Sequence, residues 1–192
     1  MFLCVSKIFE GVFVMKKFSV AAIFLFCLMF NVSASAETLY AGNVSKVIQF
    51  MKSVGDEVGF SVWGTEYYTY QGVKRCELHF GRSQNNLIRF RLNSDNSVAR
   101  MLVSVPNSYN TEVEMEDIMY AGMLAGICCI AAGVDKDEYQ QMWGNILRDG
   151  LDDLFATHTH KKYSVWCSKA QKYIVADVET DTSKIDYYFY PE

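Results

Sequence analysis

LIRFRLNSDNSVARMLVSV, Leu87 to Val105, decides the fold class. Ile88, Phe90 and Leu92 alternate with arginines, and Ala99, Met101, Val103 and Val105 alternate again after Asn93-Ser94-Asp95-Asn96. Two period-2 runs around a strong turn signal predict an antiparallel hairpin with one apolar face. Closing the loop over Asn93–Asn96 pairs Leu92 with Ser97, Phe90 with Ala99 and Ile88 with Met101, so the apolar faces agree. It also sets Arg89 opposite Arg100, and like charges directly opposite are unfavourable without an intervening group. The preceding run Val73–Phe80, with Cys76, Leu78 and Phe80 inward, supplies one if Glu77 lies opposite Arg89 and Arg75 opposite Arg91. The expected outer face carries a row Glu77–Arg89–Arg100, with Arg75, Arg91 and Arg82 nearby. Arg75, Arg89, Arg91 and Arg100 are therefore the candidate residues for an anionic ligand or acidic partner. The alternatives are an ordinary solvated face and a patch covered by the chain's own acidic segment Glu112–Asp117.

Working outward, Phe60–Trp63 and Thr65–Tyr70 read as one strand bent at Gly64, joined to Val73–Phe80 by the turn Gln71-Gly72. Before them, Val44, Val47, Ile48, Met51 and Val54 form a stripe at helical spacing over 43–54, capped by Asn43 and closed by Gly55. After the hairpin, Thr111-x-x-Glu114 fits a capping box. Ile118–Ala132 is apolar or small at nearly every position, which marks a buried helix; with Tyr120 and two glycines it reads as too short to span a membrane. Asp135-x-x-Glu138 opens another helix with Tyr139, Met142, Trp143, Ile146 and Leu147 on one face, interrupted at Gly150, with a further turn over 151–156. Tyr163–Ser168, Gln171–Val178 and Ile185–Tyr190 return to strands. The order α-β4-α-α-β3 predicts an α+β fold, an antiparallel sheet of about six to seven strands with three helices packed on one face.

The N-terminal region reads differently. Met15-Lys16-Lys17, the apolar run Phe18–Val32 and Ala34-Ser35-Ala36 have the three parts of a secretory signal peptide, 15–36. Residues 1–14 read as an upstream extension with Met15 as the initiator, leaving 37–192 as a single exported domain with no permanent membrane span. The chain carries 18 Lys and Arg against 22 Asp and Glu. Removing 1–36 takes three lysines and one glutamate, leaving 15 against 21, a net charge of −6. That balance argues against general nucleic-acid binding, which needs a basic field.

Four cysteines remain beyond the signal: Cys76, Cys128, Cys129 and Cys167. An exported chain permits disulfides. Cys76 and Cys167, both on strands, are the candidate pair, against a reading of four buried free thiols. Helix-interior Cys128 and Cys129 lack the electropositive setting of a nucleophile. His158-Thr159-His160 places two imidazoles on one face of an extended segment and is the candidate metal pair, with Asp152, Asp153 or His79 to complete it. No GxSxG, P-loop, GxGxxG, HExxH or CxxC motif occurs, and no catalytic residue or cofactor is assigned. The expected function is a non-enzymatic exported module, periplasmic or secreted from a bacterium, binding a protein, peptide or small ligand. Tyr67, Tyr68, Tyr70, Tyr187, Tyr188 and Tyr190 offer contact surface for it. A hydrolase, metal-dependent or otherwise, using His158 and His160 with a carboxylate, and a structural or assembly component of the envelope, are the alternatives.

Overall fold

The computed structural model describes residues 37–107, 111–153, 159–181 and 183–192. The extension 1–14, the signal segment 15–36, His158 and the side chains of Thr111, Glu114, Asp152 and Asp153 lie outside the described residues. The described elements run α1 (Val44–Val58), β1 (Val62–Tyr70), β2 (Val73–Phe80), β3 (Leu87–Leu92), β4 (Val98–Pro106), α2 (Thr111–Ala132), α3 (Lys136–Asp153), β5 (Thr159–Cys167), β6 (Lys172–Thr180) and β7 (Lys184–Pro191). The strands form one antiparallel sheet in the order β1-β2-β3-β4-β7-β6-β5. The two helices α2 and α3 are inserted between β4 and β5, so the chain leaves the sheet at its centre. It returns at the far edge and closes inward until β7 meets β4. The α+β reading holds, with three helices and seven strands among the described residues.

The α1 stripe Val44, Val47, Ile48, Met51 and Val54 is buried, and Asn43 Oδ1 accepts from Ser45 N at 2.9 Å. The helix does not stop at Gly55. It runs one turn further to Gly59, whose left-handed φ of 88° closes it. Gly55 is needed instead for packing, because a Cβ there would sit 2.7 Å from the Phe60 carbonyl oxygen. Similarly, α3 continues through Gly150, opened by Asp135 Oδ1 accepting from Asp137 N and Glu138 N. Along α2, Ala121, Leu124, Ala125, Cys128 and Cys129 are fully buried. Gly122 and Gly126 admit Trp143 and Tyr139 of α3, and the Tyr139 hydroxyl donates to the Gly122 carbonyl at 2.5 Å. Met115–Ala132 within α2 is long and apolar enough to cross a membrane by length and composition, contrary to the sequence estimate of its length. Yet 61% of it is buried against the rest of the fold, as in a core helix.

The hairpin around Asn93–Asn96 is present, but its register is offset from the expected one. Leu92 pairs with Val98, Arg91 with Arg100, Phe90 with Met101 and Ile88 with Val103, with an irregularity between Arg91 and Leu92. The cause is remote in sequence. The Val98 backbone exchanges both of its hydrogen bonds with Tyr40, at 2.9 and 2.8 Å, and Ala99 O accepts from Leu39 N. Ser97 is drawn into the turn, its N–H and hydroxyl both donating to Asp95 Oδ1. The extra residue is absorbed as a bulge. The inward residues stay inward, and Ile88, Phe90, Met101 and Val103 are all buried. The bend at Gly64 and the Gln71-Gly72 turn are as expected, the latter with positive φ at both residues, as a two-residue hairpin loop requires.

Candidate functional site

The helices cover one face of the sheet; the other carries two rows of side chains across the strands. The first runs Arg75, Arg91, Arg100, continuous from β2 through β3 to β4. The second runs Glu77, Arg89, Leu102, Tyr188, Asp177, Lys162. Arg100 therefore faces Arg91 and not Arg89, and the expected Glu77–Arg89–Arg100 row is corrected. Glu77 does lie opposite Arg89, and Arg75 opposite Arg91, as anticipated.

Among the described residues only one of the four candidate arginines, Arg89, has an acidic partner. Arg89 Nε donates to Glu77 Oε2 at 2.7 Å, and the Tyr68 hydroxyl donates to the same oxygen at 3.1 Å. Burial works against the Arg89 charge, but the bond to Glu77 and its negative charge outweigh this and raise the guanidinium pKa. Among the described residues Arg75, Arg91 and Arg100 form no ion pair. Two of them lie over aromatic rings instead, Arg75 at 4.8 Å from the Tyr70 centroid and Arg100 at 5.4 Å from that of Tyr190. Arg82, expected nearby, points elsewhere and pairs with Glu116 at 3.2 Å. The acidic segment Glu112–Asp117 thus reaches Arg82 through Glu116, while α2, which carries Glu116 and Asp117, packs on the face of the sheet opposite Arg75, Arg91 and Arg100.

The far wall comes from the C-terminal strands. Asp177 accepts from His160 Nε2 at 2.5 Å and from the Tyr190 hydroxyl at 3.1 Å, with Lys162 Nζ at 3.4 Å. Tyr190 and Asp177 together hold the Lys162 ammonium above its usual pKa. Beneath them, buried Asp186 accepts from Ser104 Oγ, Lys184 Nζ and the Tyr188 hydroxyl. Burial, reinforced by Asp186, pushes Tyr188 up to about 12. Between the walls lies an open cavity of about 490 Å³ lined by all four candidate arginines and by Asp177, Glu179, Tyr188 and Tyr190. A second cavity, between the helices and β5–β7, measures only about 50 Å³ and is mostly apolar. Of these two cavities among the described residues, the outer one is ligand-sized.

The other candidates are dispersed. Cys76 on β2 and Cys167 on β5 are separated by five strand spacings, about 24 Å, far beyond disulfide reach. The expected bond is corrected: all four cysteines are free and buried. Burial pushes the Cys76 thiol up to about 11 and Cys128 up to about 12, which keeps them protonated and unreactive. His79 is likewise five strands from His160 and cannot share an ion with it. Among the described residues no three His, Cys, Asp or Glu side chains come together as a metal-binding group. Tyr187 is buried against Trp143, so it is core and not contact surface. Sequence reasoning missed Asp177 and Glu179 as neighbours of the arginines. Their alternation marked an outward face, but nothing local placed β7 beside β4.

The fold and site define a class, an α+β domain with helices on one face of an antiparallel sheet and a cationic, aromatic-flanked groove on the other. No protein-family model, no curated protein and no solved structure matches this chain.

Proposed function

We propose that the chain is an exported, non-enzymatic binding module that takes an anionic ligand on its outer sheet face. One observation carries this: Arg75, Arg91 and Arg100 stand side by side on adjacent strands with no carboxylate among them, in a chain with acidic residues in excess. Like charges directly opposite destabilise a sheet, and a bound anion relieves that repulsion through bidentate guanidinium contacts. Arg89 is already satisfied by Glu77 and serves to shape the wall. The signal-like segment 15–36 supports export, giving a protein that starts at Glu37 and works in the periplasm or outside the cell. Intact-mass measurement of the exported protein tests that start, and a mass retaining 15–36 overturns it. For the site, tagged protein crosslinked in its native envelope is expected to capture one reproducible partner. Capture should fall with rising salt and be lost in Arg91→Ala plus Arg100→Ala. Capture unchanged by the double substitution removes the outer face from the account.

A further inference from the structure

The arginine row does not end at Arg100. It passes under Tyr190, which pairs with Val175, which pairs with Ser164, so one straight track crosses six strands. Its first half is cationic; its second half, Tyr190, Val175 and Ser164, carries no charge. Beside Val175 and Ser164 stand Trp166 and Tyr173, paired across β5 and β6, exposed by 39% and 50%, with ring centroids 4.9 Å apart. The edge of the track carries carboxylates, Asp177 and Glu179, which line the same cavity as the arginines.

Resting on the anion-binding reading above, we infer that the ligand is an acidic polysaccharide, a glycan bearing carboxylate or sulfate groups. Three features must be matched at once. Guanidiniums require anions. Exposed Tyr and Trp rings offer flat surfaces for the C–H faces of sugar rings, being apolar across the ring and polar at its edge. Exposed Glu179 at the rim offers acceptors to hydrogen-bond donors, which sugar hydroxyls supply. An acidic peptide meets only the first requirement fully. Laid across the strands it finds no free backbone groups, because every strand beneath the track except the last is hydrogen-bonded on both sides. A nucleic acid supplies anions and stacking faces, but the chain's 18 Lys and Arg against 22 Asp and Glu lack the basic field that nucleic-acid binding needs.

The test is calorimetric titration of the purified full chain with four probes: galacturonate oligomers, sulfated dextran, poly-glutamate and oligo-dT, with unsulfated dextran as the neutral reference. Galacturonate oligomers or sulfated dextran should bind best. Neutral dextran should bind at least about tenfold more weakly, since charge-assisted contacts are lost. Trp166→Ala plus Tyr173→Ala should weaken the acidic glycan about tenfold through lost ring contacts, with unchanged far-UV circular dichroism showing that these exposed substitutions leave the fold intact. Arg91→Ala plus Arg100→Ala should abolish binding. If poly-glutamate or oligo-dT binds more tightly than both acidic glycans and depends on the arginines, the glycan inference fails while the anion-binding face stands. Glycan affinity unchanged by loss of both rings also overturns the inference. If no anionic probe binds, or binding survives loss of both arginines, both readings fall.

Discussion

Glu77 is the only counter-charge set among the groove arginines on their own strands, which makes Glu77→Gln the most informative single substitution. Its carboxylate accepts from Arg89 at 2.7 Å and from Tyr68 at 3.1 Å, and the Glu77 and Arg89 side chains are 19% and 33% exposed. A fully exposed ion pair contributes less than about 1 kcal/mol, whereas a hydrogen bond to a charged group contributes about 1.5–3 kcal/mol. A pair this far from full exposure falls between the two, at about 1.5 kcal/mol after allowance for solvent screening. For a domain of this size each kcal/mol moves Tm by about 2–4 °C, so Glu77→Gln should lower Tm by about 3–6 °C at neutral pH. The amide cannot neutralise Arg89, so the four guanidiniums lining one cavity are then left without an ion pair among the described residues. Sulfate at tens of millimolar should recover more stability in the variant than in the wild type, because an anion bound only to the folded state stabilises by mass action. The assay is thermal unfolding of wild type, Glu77→Gln, Arg89→Ala and the double variant, each with and without sulfate. A Tm within about 1 °C of wild type, or a coupling energy below about 0.3 kcal/mol in the double-mutant cycle, refutes the reasoning.

Gly122→Ala should be strongly destabilising, by about 2–3 kcal/mol, because the new Cβ would lie 2.0 Å from the Trp143 ring; urea unfolding reads it. Gly144→Ala, on the same helix pair but with nothing within 4 Å of the added carbon, should instead stabilise by about 0.5–1 kcal/mol. Asp117 is buried, and desolvation raises its carboxyl pKa despite help from Asn86. The folded state therefore holds its proton above the unfolded value, and the stabilisation present at low pH is lost as pH rises through the folded pKa. Asp117→Asn should accordingly raise Tm at pH 7 relative to wild type, with the gain shrinking toward pH 4; thermal melts across that range would sink the idea by showing a constant or reversed difference. Chain 37–192 should titrate four thiols after denaturation without reductant and almost none when native at pH 8; any shortfall in the denatured count would point to a disulfide that the fold excludes.

Much of the fold was legible because burial follows period. The alternation over Cys76–Phe80, Ile88–Leu92 and Ala99–Val105 assigned the inward residues of three strands, and the α1 and α3 stripes were buried as written. Glycine was a poorer guide. Gly55 was read as a helix end and Gly150 as an interruption, yet both lie inside their helices, and at Gly55 the Phe60 carbonyl leaves no room for a side chain. The register of β3 and β4 failed for a different reason. Tyr40 and Leu39, far off in sequence, bond to Val98 and Ala99 and shift the pairing, which no local pattern could reveal. That shift changes the site: it exchanges a row broken by Glu77 for three uninterrupted arginines. The pairing of Glu77 with Arg89 was recoverable from charge alternation. The aromatic half of the groove was not, since it depends on β7 closing against β4 after two intervening helices and two strands.

The central claim is that the arginine row on the outer sheet face is where a ligand sits. Backbone and arginine side-chain NMR shifts during titration with sulfated dextran test it most directly. The account predicts salt-sensitive changes concentrated at Arg75, Arg91, Arg100 and Tyr190, with α1 and α2 silent. Changes confined to the helices, or none on the sheet face at saturating ligand, would contradict it.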